Sequence, residues 1–373
     1  MQNTPQGTAG QRMTNMDMLR LFALLCVTGI HFFQGIEYYD APVEGVSMYV
    51  MTVIRTFCMI CVPLFLLLTG YLMGSKRLTL GYYLGIIKVL GIYLLASLLC
   101  GVCRIALLKD GLTVPEMLMG IFSFDTAPYS WYIELYIGLF LLIPLLNAGY
   151  DALPSRKAKL TLIGILLFLT ALPGVVNIYC DEGLVWWLDP KISDDYLLIL
   201  PEYWLQFYPV TFFIIGRYVK EYPVKTPLWL HLVLTVAVAL ANGMFNIYRS
   251  MGTNLIWGAW QTYGALPTTV QAVLVFTLFT QLKTGKIPAT VQKQLAKLSD
   301  WVLGAYLVSS VFDELLYPAV NRFEPVMHRR LSWLPMMPVA VAALSLAFSA
   351  LLHLVYGISF GRLLAFLRGK INK

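Results

Sequence analysis

Ten apolar stretches run through the chain, and each has about the 17–25 residues that an α-helix needs to cross a lipid bilayer. Lipid offers the backbone no hydrogen-bond partners, so stretches of this length fold as membrane-spanning helices. Hydrophobic residues make up 58% of the sequence and charged residues only 13%, whereas soluble domains are about 25% charged. The sequence therefore predicts an all-α integral membrane protein, with spans at about 17–36, 47–73, 82–107, 130–148, 159–176, 203–219, 228–248, 265–282, 299–318 and 333–356.

The loops between these stretches differ in charge, and the difference predicts the orientation. An even number of spans places both termini on one side. The termini and the loops on their side, with the adjoining helix ends, contain seventeen Lys and Arg residues, and the opposite loops contain seven. Cytoplasmic loops are enriched in basic residues, so both termini are predicted to be cytoplasmic. This rule also explains the net charge of +7 without nucleic acid as a partner. The predicted domains are a cytoplasmic tail at 1–16, a ten-helix membrane domain at 17–356 and a basic cytoplasmic tail at 357–373.

The first span carries two ionisable side chains, Arg20 and His31, although a charge at the bilayer centre costs about 3 kcal/mol or more. They are eleven residues apart, which returns to within about 20° of the same helix face and separates them by roughly 16 Å along it. One reading is that Arg20 reaches the headgroups and that His31 is a satisfied core histidine. The other is that one helix face presents a cation near the cytoplasm and an imidazole deep in the membrane.

Ionisable residues of four spans are predicted to lie at one depth. Given the orientation, His31 lies in the outer half of span 1 and Arg55 in the outer half of span 2. Glu134 lies near the outer end of span 4, and Asp313 and Glu314 lie in the outer third of span 9. Such groups inside a membrane tend to face a cavity and to pair with each other. The alternative, strongest for Glu134, is a residue at headgroup level.

Several short motifs occur in the order and spacing of one family of membrane enzymes. An R-x10-H pattern opens the first span with Arg20 and His31, preceded by Asp17. Later spans add Val62-Pro63-Leu64-Phe65 with Thr69-Gly70-Tyr71-Leu72, then Trp131-Tyr132 with Gly138-Leu139 and Pro144-Leu145-Leu146, and then Gly304-Ala305-Tyr306-Leu307. The set resembles the membrane acyltransferase-3 family, the integral-membrane acetyltransferases that modify cell-surface glycans. The resemblance covers about residues 16–356 and includes the ten-helix count.

The chain departs from the family's pattern at two places. Many members have an arginine-rich R-x-x-R stretch at the start of span 3, where Lys88 is the only deep cation here. Many members also have a histidine just after the late "Y-L" motif, where Ser309 and Ser310 stand in this chain. A second histidine role is thus absent or has passed to Asp313. Some members also carry a soluble esterase-like domain after the last span, and none is expected here.

The resemblance implies transfer of an acetyl group, or another acyl group, from cytoplasmic acetyl-CoA to a hydroxyl of an extracytoplasmic or lipid-linked glycan. It further implies a bacterial-type plasma membrane. A cation suits the anionic nucleotide of the donor, and a histidine suits a base at physiological pH, with a carboxylate to orient it. The candidate catalytic residues are His31, Asp313 and Glu134, and the candidate donor-binding residues are Arg20, Lys88 and Arg55.

Two other classes of function remain open from the residues alone. A secondary transporter or flippase would use intramembrane charges as proton or substrate sites, but the halves of the chain show no clear internal similarity. A non-catalytic sensor or anchor would use them for packing only. Acyl transfer by the purified protein separates the enzyme from both.

Three further features each have two readings. The pairs Cys58/Cys61 and Cys100/Cys103 are either a zinc site or small apolar packing residues, and no metal is expected. The loop 177–202, with Trp186 and Trp187, either contacts a sugar or lies in the interfacial belt. The segment His328-Arg329-Arg330 is either a solvated basic turn or a contact for an anionic glycan or lipid.

The predicted orientation can be tested by labelling. A cysteine placed at position 187 should react with a membrane-impermeant maleimide added outside the cell, and one at position 157 should not. The reverse pattern would overturn the orientation and the cytoplasmic route for the donor.

Overall fold

A computed structural model of the chain describes residues 12–177 and 199–371. Cys180, Trp186 and Trp187 lie outside these described residues. Within them the chain forms helices and turns and no β-strand. The α-helices, numbered in chain order, are α1 (Thr14–Gly35), α2 (Gly45–Cys58), α3 (Cys61–Met73), α4 (Leu80–Tyr83), α5 (Ile86–Cys103), α6 (Val114–Phe122), α7 (Trp131–Asp151), α8 (Arg156–Thr170), α9 (Pro173–Val176), α10 (Tyr208–Glu221), α11 (Leu228–Ser250), α12 (Leu266–Gln281), α13 (Ala289–Phe323), α14 (Met337–Ile358) and α15 (Phe360–Ile371).

The prediction of an all-α membrane protein is confirmed. In the described part of the chain, eight helical segments are long and apolar enough to cross a membrane, and they coincide with eight of the predicted spans. The other two predicted spans, 159–176 and 203–219, overlap α8 and α10, which have only 15 and 14 residues. The count of ten and the cytoplasmic termini therefore stay predictions. The predicted tail 357–373 contains helix α15.

Predicted span 2 is divided into α2 and α3 by a break at Met59 and Ile60. Pro63 explains the break, because proline has no N–H to donate to the carbonyl four residues earlier. Near the break, the carbonyl of Phe57 accepts a hydrogen bond from Nε2 of Gln271 at 3.1 Å. The two halves have different neighbours: α2 packs against α11, and α3 packs against α1 and α10.

Helix α1 lies among α3, α13 and α14, and its Leu19, Phe32 and Phe33 are completely buried. Helix α13 has 35 residues and is about 52 Å long, which exceeds the roughly 30 Å hydrocarbon core. It begins ten residues before the predicted span, so its first turns extend beyond the bilayer. The contact between α1 and α13 places Arg20 beside Ser299 near one end and His31 beside Asp313 further along both helices.

The segment after α1 folds back over α2. The hydroxyls of Tyr38 and Thr52 are 2.6 Å apart. From the loop between α13 and α14, Arg330 donates to the carbonyl of Ile36 at 2.8 Å and to a carboxylate oxygen of Glu37 at 3.0 Å. For Arg330 the reading as a solvated turn is wrong, because only 5% of the residue is exposed. Its acceptors are the carbonyl of Ile36 and the carboxylate of Glu37, which follow α1. The sequence alone does not show that these groups lie beside Arg330.

The cysteine pairs do not converge into a metal site. Among the described residues, no group of three or more His, Cys, Asp or Glu could bind a metal ion. Cys58 lies beside Gly29 of α1, and the thiol of Cys100 contacts the carbonyl of Leu307 at 3.5 Å. All five described cysteines are free and buried.

Helices α3 and α10 approach each other through two glycines. A Cβ added at Gly70 would lie 2.0 Å from the carbonyl oxygen of Phe213, and one at Gly216 would lie 2.0 Å from that of Leu67. Each glycine thus faces the backbone of the opposite helix. Backbone atoms cannot move aside as a flexible side chain can, so an alanine at either position would separate the helices.

We expect Gly70→Ala and Gly216→Ala each to lower the thermal unfolding midpoint, since overpacking typically costs about 1–3 kcal/mol. Gly164→Ala is the control, because its added Cβ would meet nothing within 4 Å and alanine favours a helix by about 0.5–1 kcal/mol over glycine. The midpoint can be followed by fluorescence-detected size-exclusion chromatography in detergent. Equal midpoints for all three variants would contradict the close packing of α3 and α10.

Candidate active site

A cavity of about 340 Å³ lies between α1, α3, α5, α7, α13 and α14. Its polar end is formed by Arg20, Lys88, Ser299, Asp300 and His353. The predicted orientation places these residues toward the cytoplasmic surface. Deeper in, the wall is apolar and aromatic, with Val27, Val62, Phe65, Ile92, Tyr132 and Tyr306. The cavity therefore changes from charged at its mouth to apolar in its interior.

The charges at the mouth are paired in a small network. Arg12 donates to both oxygens of Asp17 at 2.9 Å and to those of Asp300 at 3.0 and 3.1 Å. The hydrogen bond to Asp17 is the main cause that raises the pKa of Arg12 above its usual value. Arg20 donates to the hydroxyl of Ser299 at 3.0 Å and lies 3.5 Å from Asp17. Because Arg12 neutralises much of the acidic charge, Arg20 and Lys88 leave the mouth attractive to an anion.

His31, Asp313 and Tyr129 form a buried group further along α1 and α13. Nδ1 of His31 lies 3.6 Å from Oδ2 of Asp313, and the side chains are only 12% and 7% exposed. The Tyr129 hydroxyl donates to the same Oδ2 at 2.8 Å. The Tyr129 ring stacks on the imidazole with 3.6 Å between centroids and 24° between planes. These contacts hold the imidazole between a carboxylate and an aromatic face.

The cavity and the buried group are adjacent along both helices. Val27 lines the cavity and His31 follows it by four residues, which is one helical turn on the same face. Tyr306 also lines the cavity, and its hydroxyl donates to the carbonyl of Tyr129. Since Tyr129 stacks on His31, a single layer of side chains separates the imidazole from the cavity wall.

Asp313, and not Glu134, is the carboxylate that the structure brings to His31. Glu134 is exposed and lines a separate groove between α7 and α10, together with Trp131 and Gln206. The two acids were predicted at similar depth, but α7 turns Glu134 away from α1. Glu314, which follows Asp313, is exposed as its position on the helix requires.

The three predicted donor cations separate into two places. Arg20 and Lys88 line the cavity mouth together. Arg55 does not line the cavity: it is buried on α2, where Nε donates to the Tyr39 hydroxyl at 3.2 Å and Nη1 donates to Oε1 of Gln261 at 2.7 Å. Its partners come from the loops after α1 and α11, so the structure does not support Arg55 as part of a site shared with Arg20.

Sequence reasoning missed Tyr129, Ser299, Asp300 and His353. The last three line the cavity at its mouth. Tyr129 stands two residues before the Trp131-Tyr132 motif, and that proximity is the one signal that could have suggested a role. Nothing in a single sequence indicates that the turn before α7 reaches α13.

Helical spans around a charged-to-apolar cavity, with a buried histidine–carboxylate pair one turn beyond it, define a multi-pass membrane protein equipped for acid–base chemistry. The family model of the acyltransferase domain Acyl_transf_3 matches residues 13–354, nearly the whole chain. The chain belongs to this membrane acyltransferase-3 family, as its motifs predicted. It is therefore a membrane acyltransferase, and neither the transporter nor the sensor reading is needed. Searches of curated proteins and of solved structures found no match.

Proposed function

We propose that the protein transfers an acetyl group from cytoplasmic acetyl-CoA to a hydroxyl of an extracytoplasmic or lipid-linked glycan, in a bacterial-type plasma membrane. One observation carries the proposal: an apolar path leads from two cations at a cavity mouth to within one helical turn of a buried histidine–carboxylate pair. A donor with an anionic head and a long neutral arm fits such a path. The acceptor class rests on the family resemblance and on the outer depth of His31.

The cavity supports the choice of donor. Arg20 and Lys88 provide cations for phosphate groups at the mouth, and the arginine fork matches phosphate oxygens. The apolar wall beyond them suits an uncharged pantetheine arm. Arg20 and His31 are roughly 16 Å apart along α1, about the length of that arm when extended. The thioester would then lie at the imidazole while the nucleotide stays at the surface.

His31 is the proposed general base. Because Nδ1 points to Asp313, Nε2 is the nitrogen left to accept the proton of the acceptor hydroxyl. The hydroxyl oxygen then bonds to the thioester carbon, the carbon–sulfur bond breaks, and the proton passes from His31 to the leaving sulfur. Asp313 stabilises the imidazolium that forms in between.

Tyr129 is a positioning residue for this pair. Its hydroxyl and Nδ1 of His31 both face Oδ2 of Asp313, so it sets where that oxygen lies. Its ring also restricts rotation of the imidazole. Both effects keep the base in one orientation, which the reaction geometry requires.

The donor site is tested by Arg20→Ala. We expect affinity for CoA to fall about 10–100-fold, which corresponds to the loss of one charge-assisted hydrogen bond. The thermal unfolding midpoint should not change. Arg20→Lys should retain only part of the wild-type affinity, because lysine lacks the planar fork of donors. Lys293→Ala removes an exposed cation outside the cavity and is the matched control. CoA binding can be titrated calorimetrically, and unchanged affinity in Arg20→Ala would reduce Arg20 to a residue that reaches the headgroups.

The base is tested by His31→Gln and Asp313→Asn, alone and together. His31→Ala and His31→Gln should each lose about 10²–10⁴-fold in transfer rate, and Asp313→Asn should lose less because it disturbs orientation and charge. The increase in activation free energy of the double variant should be smaller than the sum of the increases in the single variants, since the residues act as a unit. The rate of acetyl transfer is measured at equal protein levels.

The exposed His328 supplies the control for this series. His328→Gln should leave the rate unchanged. Full activity of His31→Gln would refute the catalytic reading, and additive losses would remove Asp313 from the role of partner.

A further inference from the structure

Arg55 is a buried cation that the donor site does not use. Its residue is 0% exposed. In the ranges 12–177 and 199–371 it forms no ion pair with a carboxylate, and its Nη2 has no hydrogen-bond partner. A buried charge normally requires a partner of opposite charge, because leaving it unpaired is costly. Arg55 therefore has the capacity to bind an anion that is not part of the described chain.

An aromatic platform lies over this cation at the protein surface. The Trp257 ring covers the guanidinium at 4.5 Å and is tilted against Tyr39, with 5.1 Å between their centroids. Although it covers a completely buried group, Trp257 itself is 59% exposed. An exposed aromatic face is a surface on which the C–H groups of a sugar ring stack, and a cation beside it binds carboxylate or phosphate.

The platform adjoins the helix that carries the proposed base. Helices α1 and α2 pack against each other, and Tyr39 follows His31 by eight residues on the segment that folds back over α2. Gln261 and Trp257 come from the loop after α11, which pairs with the segment before α2 through Val43 and Met251. The platform is thus on the side opposite Arg20, where the acceptor would enter.

We infer that Arg55, Trp257 and Tyr39 form an acceptor subsite that binds a sugar bearing an oxyanion, either a carboxylate on the ring or a phosphate on its anomeric carbon. The inference rests on the proposed function and adds the chemical class of the acceptor to it. Trp257 stacks on the sugar, and the unpartnered Nη2 of Arg55 donates to the anion. Gln261 and Tyr39 fix the guanidinium beneath the Trp257 ring, and Nη2 is the donor that this arrangement leaves without a hydrogen-bond partner.

The test compares three acceptors with the purified full chain and acetyl-CoA: methyl β-glucuronide, glucose 1-phosphate and the neutral methyl β-glucoside. We expect KM for at least one anionic sugar to be about tenfold or more below that for the glucoside, the effect of one charge-assisted hydrogen bond. A low KM for the glucuronide alone identifies a ring carboxylate, and one for glucose 1-phosphate alone identifies a phosphate. Equal KM values for all three sugars would overturn the inference.

Variants connect this preference to the residues. Arg55→Gln should abolish the preference for the anionic sugar, and Trp257→Ala should raise KM for all three sugars. CoA affinity should be unchanged in both. Trp229→Ala is the matched control, because Trp229 is also exposed, at 67%, but lies at the opposite end of α11. An anionic preference that survives in Arg55→Gln would overturn the inference.

A second measurement does not depend on turnover. If the wild type transfers to none of the three sugars, its thermal unfolding midpoint is measured with each sugar in the presence of saturating CoA. The subsite is supported if an anionic sugar raises the midpoint more than the glucoside does and if this difference is lost in Arg55→Gln. The subsite is refuted if no anionic sugar raises the midpoint more than the glucoside. The proposed function fails separately, when the wild type neither binds CoA nor transfers its acetyl group.

Discussion

A polar side chain inside a membrane protein must find its partners within the protein, since lipid supplies none. The carboxylate of Asp313 accepts a hydrogen bond from the Tyr129 hydroxyl and lies 3.6 Å from Nδ1 of His31. Tyr129 comes from the turn before α7 and His31 from α1, so both segments meet at a residue of α13. The orientation of the imidazole therefore depends on where α1 packs on α13. A loss of that contact would remove both the pairing of a buried acid and the geometry of the proposed base.

The same requirement explains why the cavity changes character along its length. Charged side chains are grouped at the mouth, where Arg12 bridges Asp17 and Asp300 and where solvation is less costly. Beyond them the wall is apolar up to Tyr306. A cavity of this kind suits a ligand that has a charged end and a long neutral part. Arg55 does not line this cavity, and it is buried without a carboxylate partner among residues 12–177 and 199–371.

Particular residues show how far the sequence could predict the site. His31 and Asp313 were correctly placed together, because the rise per residue sets depth and the helical period sets the face. Glu134 was predicted at a similar depth, yet it faces another groove. Arg55 was assigned to the donor, yet its partners are Tyr39 and Gln261. The depth of a residue in the membrane follows from its position along one helix. Which neighbouring helix its side chain faces depends on how all the helices pack.

The sequence by itself determined the all-α membrane class, the family, the positions of most spans and the shared depth of His31 and Asp313. These follow from apolar length, motif order and helical geometry, all of which are local along the chain. Only the tertiary structure decided that Tyr129 stacks on the imidazole and that Arg55 lies under an exposed tryptophan. Contacts between distant segments depend on the simultaneous packing of many helices, which no single stretch of sequence specifies.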